Sequence, residues 1–393
     1  MTNHSNGHGT VLVLGAGPAG LTAARILASR GHDVVVLEEH GEIGVPVHCT
    51  GVLGMDAFSE FPLPSEAIVG TAHAATFVAA DGSSVSMDAE RATAAVVDRA
   101  VFDRALADAG RAAGAAVRRG ARVRGIEVSD VAVSIALDGG ERVDARSAVL
   151  ACGANYRFNR QLGLGVPRSF IQSAQLERPL DGPSNVEVHL GREVAPGGFA
   201  WAVPFQRDGE PHTRIGVMCE SRALTHFRRF AARLCDRFNV SSAAWPDPRL
   251  KILPLGPVSR TYASRLLAVG DAAGLVKPTT GGGIYYSLVT GQIAAETLDE
   301  ALVADDLRDT RLRRYEVQWR ERLGPEIRIG LAFRTLTSRM NDRSIDAVIE
   351  LARIDGLIPM LRRTADFNWH RQSALALLKH AQFRKILLSS LWS

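Results

Sequence analysis

The sequence predicts an α/β fold: a Rossmann-like nucleotide-binding domain at the N-terminus, an inserted, mainly antiparallel β-sheet domain, and helices at the C-terminus. Three observations carry this. The apolar run Val11–Leu14 leads into Gly15-Ala16-Gly17-Pro18-Ala19-Gly20 and an amphipathic stretch, and a second apolar run stops at Glu38-Glu39. From about Leu162 to Pro254, short strand-like runs alternate with proline and glycine breaks. Beyond Ala301 the periodicity is helical and arginine-rich.

The first stretch reads as strand, tight turn, helix, second strand. Gly15 lets the chain leave the strand sharply, Gly17 lets the backbone approach a pyrophosphate, and Gly20 lets the helix lie close to the sheet. Pro18 and Ala19 open the helix, whose free N–H groups and dipole favour an anion. Glu38 ends the second strand, with Glu39 beside it, and a carboxylate there accepts bonds from the ribose hydroxyls of an adenosine. It argues against a 2′-phosphate, hence against NADP at this position. The fingerprint leaves FAD and NAD both open. A chance glycine loop is disfavoured by the flanking strand, the helix and the spacing of the acid.

Length and composition bound the rest. With 393 residues the chain is expected to form two intimately joined domains, and 46% hydrophobic residues suffice for a sizeable core. Cys49, Cys152, Cys219 and Cys235 form no CxxC pair or zinc spacing, which predicts reduced thiols and a cytoplasmic setting. The polar start carries no apolar segment of the secretory kind, and no apolar run approaches the roughly 18 residues of a membrane span. A net charge of +4 with no basic stripe interleaved with aromatics excludes a nucleic-acid partner.

The remaining elements follow in order. Gly41 to Gly51 is a glycine- and proline-rich loop near the cofactor turn, and Phe61 to Pro64 is a further break. Ala74 to Met87 reads as a hairpin turning at Asp81-Gly82. Val96 to Gly110 is a strand feeding a helix. Ala121–Val128, Ala132–Leu137 and Arg142–Asp144 form a meander, and Ser147 to Ala154 is a buried strand. In the second sheet, strands are expected at Val186–Leu190, Phe199–Phe205 and Thr213–Cys219, with a helix over about Arg222–Phe238. Arg265 to Gly274 is a strand with a glycine turn, and Thr280 to Leu298 a helix. The expected division is residues 10–60, 90–160 and 255–300 for the nucleotide-binding domain. Residues 61–89 and 161–254 would form the second domain, and 301–393 a helical region.

Glycine turns placed early, in the middle and late resemble the flavoprotein fold of the glutathione-reductase type. That resemblance implies FAD. Gly270-Asp271 resembles the late motif whose aspartate holds the ribityl chain. Pro278-Thr-Thr-Gly281-Gly282-Gly283-Ile284 resembles the helix start that faces the flavin ring. Arg99, in Val-Asp-Arg-Ala-Val-Phe-Asp, resembles an arginine on the cofactor side. More narrowly, the chain resembles the geranylgeranyl reductase family. Pro46-Val-His48-Cys49-Thr-Gly51 matches that family's PxxCxG motif in full. Phe199-Ala-Trp201-Ala-Val-Pro204-Phe205 matches its YxWxFPK motif at Trp201 and Pro204, and Phe205 replaces the motif's lysine, so a positive charge is lost.

The resemblance implies an FAD enzyme that saturates C=C bonds of an isoprenoid chain, with NAD(P)H or ferredoxin as electron donor. An alkene has no polar handle, so its binding rests on burial, about 0.8 kcal/mol per CH₂. Cys49 would tune the flavin or donate a proton, unless it is only a small buried hydrophobe. Trp201 and Pro204 would line the substrate cavity. His48 reads as a relay or a solvated loop residue, Lys277 as a partner of the flavin ring or a surface residue, and Cys152 as core. A flavin monooxygenase or halogenase is the alternative on the same fold, and a non-enzymatic prenyl-binding protein is a third reading. Finally, Ser373 to Ser393 places leucines, Phe383 and Trp392 at helical steps beside Lys379, Arg384 and Lys385. That pattern predicts weak, peripheral membrane contact, against the alternative that the helix packs inward.

Overall fold

The computed structural model describes residues 10–241, 245–354 and 356–391. The chain divides into two compact units. The first comprises the chain up to Val47, Arg99–Ser169 and Pro254–Ile327; the second comprises His48–Asp98, Phe170–Leu253 and the chain from Arg328 on.

The first unit is built on a six-stranded sheet. Its order is Tyr262–Ala263, Leu266–Ala268, Ser147–Leu150, Thr10–Leu14, Asp33–Leu37, Ala116–Arg118. All neighbours are parallel except the first pair. Thr10–Leu14 lies at the centre and is buried along its whole length, as a parallel strand covered on both faces must be. The helix Pro18–Ser29 packs on this sheet and on the helix Ile284–Val303. The contact is close: a Cβ on Gly291 would lie 2.4 Å from Ala19 O. The helix Arg99–Ala112 also packs against Pro18–Ser29. The predicted meander is present as Val123–Val128, Val133–Leu137 and Arg142–Ala145. The helix Asp309–Thr337 contributes Tyr315, whose hydroxyl donates to Ala268 O (2.8 Å), and Trp319, whose Nε1 donates to Thr261 Oγ1 (2.8 Å).

The second unit holds a seven-stranded sheet in the order Arg249–Pro254, Phe170–Pro179, Glu210–Cys219, Phe199–Arg207, Val186–His189, Ala74–Val78, Ser84–Asp88. It is mainly antiparallel, with Val186–His189 and Ala74–Val78 parallel. The helix Ala223–Phe238 covers one face: Phe227, Phe230 and Leu234 bury against Ala174, Ala200, Ala202, Ile215 and Val217. Pairing puts Gln175, Gly216, Trp201, Val188 and Phe77 in one row on the other face. A three-stranded sheet, Val52–Gly54, Ala94–Val97 and Ile68–Ala72, completes the β-structure.

Two elements depart from the expectations. Phe170–Pro179 is a ten-residue strand absent from the sequence-based reading. Its polar Ser173, Gln175 and Glu177 alternate with Ala174 and Leu176, and this polar side faces side chains rather than water. The C-terminal amphipathic stretch is two helices, Arg371–Lys379 and Ala381–Leu391, broken at His380. Its apolar face turns inward. Phe383 and Leu387 are buried with Met340, Leu351 and Leu357, and the Phe383 ring stacks on Phe333 with centroids 6.4 Å apart. Trp392 lies outside the described residues. Among the described residues no helix is long and apolar enough to cross a membrane.

Candidate functional site

The first unit carries the nucleotide cradle. Gly15 leaves the central strand at φ +114°, where a Cβ would lie 2.4 Å from Ala151 O, so only glycine turns here. At Gly20 a Cβ would lie 2.2 Å from Gly15 O. Gly17 differs: a Cβ there would meet nothing within 4 Å. Gly17 is the N-cap of the helix, Pro18 is its first residue, Ala19 and Gly20 follow, and no side chain caps it. Open space in front of uncapped N–H groups fits a diphosphate. Glu38 is tied to this turn. Its Oε2 accepts the Ala16 N–H at 2.8 Å, and its Oε1 meets His40 N (3.0 Å) and Nδ1 (2.6 Å). Glu39 instead pairs with Arg122 at 3.0 Å on the surface.

The late turn sits against the early one: a Cβ on Gly270 would lie 3.1 Å from Ala19 Cβ. Three side chains hold its backbone. Thr290 Oγ1 accepts the Gly270 N–H (3.1 Å), Tyr156 OH donates to Asp271 O (2.6 Å), and Asn159 Nδ2 donates to Ala272 O (3.1 Å). Tyr156 and Asn159 escaped the sequence analysis; their only signal is that two polar residues follow a buried strand. Burial, then the nearby Asp271, pushes the Tyr156 phenol up, so it stays a donor. The Asp271 carboxylate rests over Gly283, where a Cβ would lie 2.8 Å from Oδ1. Gly283 is the N-cap of Ile284–Val303, again without a side-chain cap. The loop before it closes on itself, Gly281 N to Lys277 O at 2.8 Å and Lys277 N to Gly282 O at 3.0 Å. Lys277 is only 5% exposed, which removes its surface reading, and its Cε would lie 2.9 Å from a Cβ on Gly282. Arg99 sits at the start of its helix and chelates Asp103, with Nη2 to Oδ2 at 2.7 Å. Cys152, half-buried, gives its thiol to Asn155 O, and burial pushes that thiol up to about 12.

The second unit carries the cysteine loop and the sheet face opposite the helix Ala223–Phe238. Cys49 Sγ accepts the Gly51 N–H at 3.3 Å. Thr50 Oγ1 donates to Gln175 Oε1 at 2.7 Å, and Thr50 O accepts from Arg214 Nη1 at 2.5 Å. Gln175 and Arg214 stand on the Trp201 face, so the loop is seated there. The Trp201 indole lies on Gly216, where a Cβ would lie 2.1 Å from Cζ2. The indole Nε1 is buried with no hydrogen-bond partner among the described residues. Trp201 and Pro204 do not share a face: three residues apart in one strand, they project to opposite sides. Phe205, which replaces the motif's lysine, has the Arg214 guanidinium 4.6 Å and that of Arg207 5.6 Å from its ring centroid. The charge absent from position 205 is thus present from neighbouring positions.

Residues 13–75 match the model of an NAD(P)-binding Rossmann-like domain. A digeranylgeranylglycerophospholipid reductase of Methanospirillum hungatei JF-1 is 31% identical over 364 residues, 86% of this chain and 88% of that protein. Digeranylgeranylglycerophospholipid reductase 2 of Methanothermobacter thermautotrophicus is 30% identical, over 86% of this chain and 90% of that protein. Among solved structures, a geranylgeranyl bacteriochlorophyll reductase-like protein of Thermoplasma acidophilum superposes with a TM-score of 0.79 at 23% identity, covering 97% of this chain and 99% of that one. The halogenase PltM superposes at 0.67 with 14% identity, over 98% of this chain and 91% of its own. The two structural likenesses show the same flavoprotein fold. With the glycine cradle, the PxxCxG loop and relatives at this identity over most of both chains, the protein belongs to the geranylgeranyl reductase family of flavoprotein oxidoreductases.

Proposed function

We propose that this chain is an FAD-dependent reductase that saturates C=C bonds in the geranylgeranyl-type chains of a prenyl lipid. The observation that carries the reading is the PxxCxG loop, seated through Thr50 on the sheet face that presents Trp201. When bound, a reduced flavin supplies the hydride. The chain's own residues do the rest. The uncapped helix starts at Gly17 and Gly283 take the diphosphate and the pyrimidine edge, and Glu38 and Asp271 take ribose and ribityl hydroxyls. Lys277, buried at Gly282, adds positive charge where the ring becomes anionic. Trp201 offers an apolar wall to a chain with no polar group. Cys49, whose Sγ accepts the Gly51 N–H, would shape that environment or give a proton to the second alkene carbon. NAD(P)H or ferredoxin would re-reduce the flavin. The halogenase reading rests on fold likeness alone.

The deciding experiment incubates dithionite-reduced protein with archaeal-type unsaturated prenyl lipids and follows their masses. Mass increments of +2 per reduced bond are expected. Unchanged lipid masses with a bound, reducible flavin would overturn the proposal.

A further inference from the structure

We infer that Arg214 is the positioning residue of the cysteine loop and acts through a single peptide plane. Arg214 is 1% exposed, on the strand Glu210–Cys219. Its Nη1 donates to Thr50 O (2.5 Å) and Val97 O (2.9 Å), and its Nε donates to Glu177 Oε2 (2.8 Å). Thr50 O and the Gly51 N–H are opposite ends of one planar, trans peptide unit. Holding the oxygen therefore aims the N–H, and that N–H is the one on Cys49 Sγ.

The loop is shaped around this clamp. Gly51 has φ +72°, and a Cβ there would lie 2.4 Å from Val97 O and 2.6 Å from Arg214 Nη1. The final glycine of PxxCxG is thus required both by the turn and by the guanidinium beneath it. The Thr50 hydroxyl is pinned separately by Gln175. Glu177 neutralises Arg214 and also pairs with Arg207, which reaches Asp98 at 2.7 Å. Two guanidiniums and two carboxylates are therefore linked through Glu177 and Arg207, with Phe205 packed on both cations. The positive charge missing at position 205 has become structural support for the cysteine. Lysine cannot substitute fully, since a point charge does not bridge two carbonyls and a carboxylate in fixed directions.

The inference rests on the reading of Cys49 as a reacting residue, and the test separates the two. Flavin-loaded full-length protein is prepared as wild type, Arg214→Met, Arg214→Lys, Cys49→Ser and the Arg214→Met/Cys49→Ser double variant. Arg214→Met is also made together with Glu177→Gln, so that no carboxylate is stranded in a variant that must fold. The kcat and KM for lipid reduction are measured, with the iodoacetamide labelling rate of the Cys49 peptide. Arg214→Met should lower kcat about tenfold with KM nearly unchanged, Arg214→Lys should recover part of it, and the loss should vanish in the Cys49→Ser background. The Cys49 labelling rate should change at least about threefold in the folded Arg214 variants, as its hydrogen-bond donor swings away. Equal losses of kcat in both backgrounds, or an unaltered labelling rate, would overturn the inference. Wild-type turnover by Cys49→Ser would instead remove the role of Cys49 in turnover, and the labelling rate would then decide Arg214 alone.

Discussion

At the scale of single residues, close approach decides more than chemistry does. Gly216 gives up its side chain so that the Trp201 indole can lie on the strand, with a Cβ position only 2.1 Å from ring carbon Cζ2. Gly216→Ala must push the ring off the sheet. A loss of ~1–3 kcal/mol of stability is expected, the usual cost of overpacking, together with altered tryptophan fluorescence. An unchanged melting temperature and spectrum would show that the indole has room to move. Asp271 sets a second prediction. Its carboxylate lies at Gly283, where the late turn meets a helix N-terminus. Asp271→Ala should weaken flavin binding by roughly 1.5–3 kcal/mol, the worth of a charge-assisted hydrogen bond. Flavin retained through dialysis at wild-type absorbance would count against that role.

Single elements show how alternation sorts charge as well as apolar surface. On the strand Val186–His189, Glu187 and His189 point to the face covered by the helix Ala223–Phe238. Glu187 accepts from His189 Nε2 (3.0 Å) and from Arg237 Nη1 and Nη2 (2.8 and 2.9 Å). Burial pushes this carboxyl up, but the hydrogen bonds from His189 and Arg237 outweigh it and hold the group at about 2, below its ordinary 4.5. A carboxylate with a depressed folded pKa contributes stability that is complete above the unfolded value and fades as pH falls. The wild type should therefore lose melting temperature between pH 4.5 and about 2 more steeply than Glu187→Gln, measured over the same range. Parallel curves would refute the assignment. The strand Phe170–Pro179 teaches the same lesson in reverse. Its polar residues carry no strand signal in the sequence, because the groups that satisfy Gln175 and Glu177, Thr50 and Arg214, are remote in the chain.

For the whole molecule, the C-terminal helices bear on membrane contact. The proposed lipid substrate needs a docking place, and the basic residues Lys379, Arg384 and Lys385 are exposed. The apolar face is not available for insertion, because Phe383 and Leu387 are core residues. What remains is an electrostatic footprint with the exposed Leu388 beside it. Truncation at Phe367 is a poor test, since it also removes Asn368, which is buried and donates to Asp56 Oδ1 at 2.5 Å. Reversing Lys379, Arg384 and Lys385 to Glu leaves the core intact. Co-sedimentation with anionic vesicles should fall in the reversed protein and in high salt, at about 1 kcal/mol per basic residue at the surface. Equal recovery of both proteins, or no binding by either, would sink the idea.

The sequence by itself determined the nucleotide half and the family. Strand, glycine turn, helix and terminal acid are local in the chain, and the constraints at Gly15 and Gly20 act within a few residues or on the adjacent strand. The PxxCxG and late-turn motifs were legible for the same reason: their geometry is a short run of backbone. Tertiary structure alone decided which surfaces meet. Periodicity announced an apolar face in the last helices but not what covers it, and Phe333 does. Arg214 was unreadable because burial of a cation depends on partners brought from elsewhere in the fold. Strand register settled the rest, since pairing across Glu210–Cys219 puts Arg214 opposite Glu177 on one side and Val203 on the other, and a shift of one residue would send its charge to the other face.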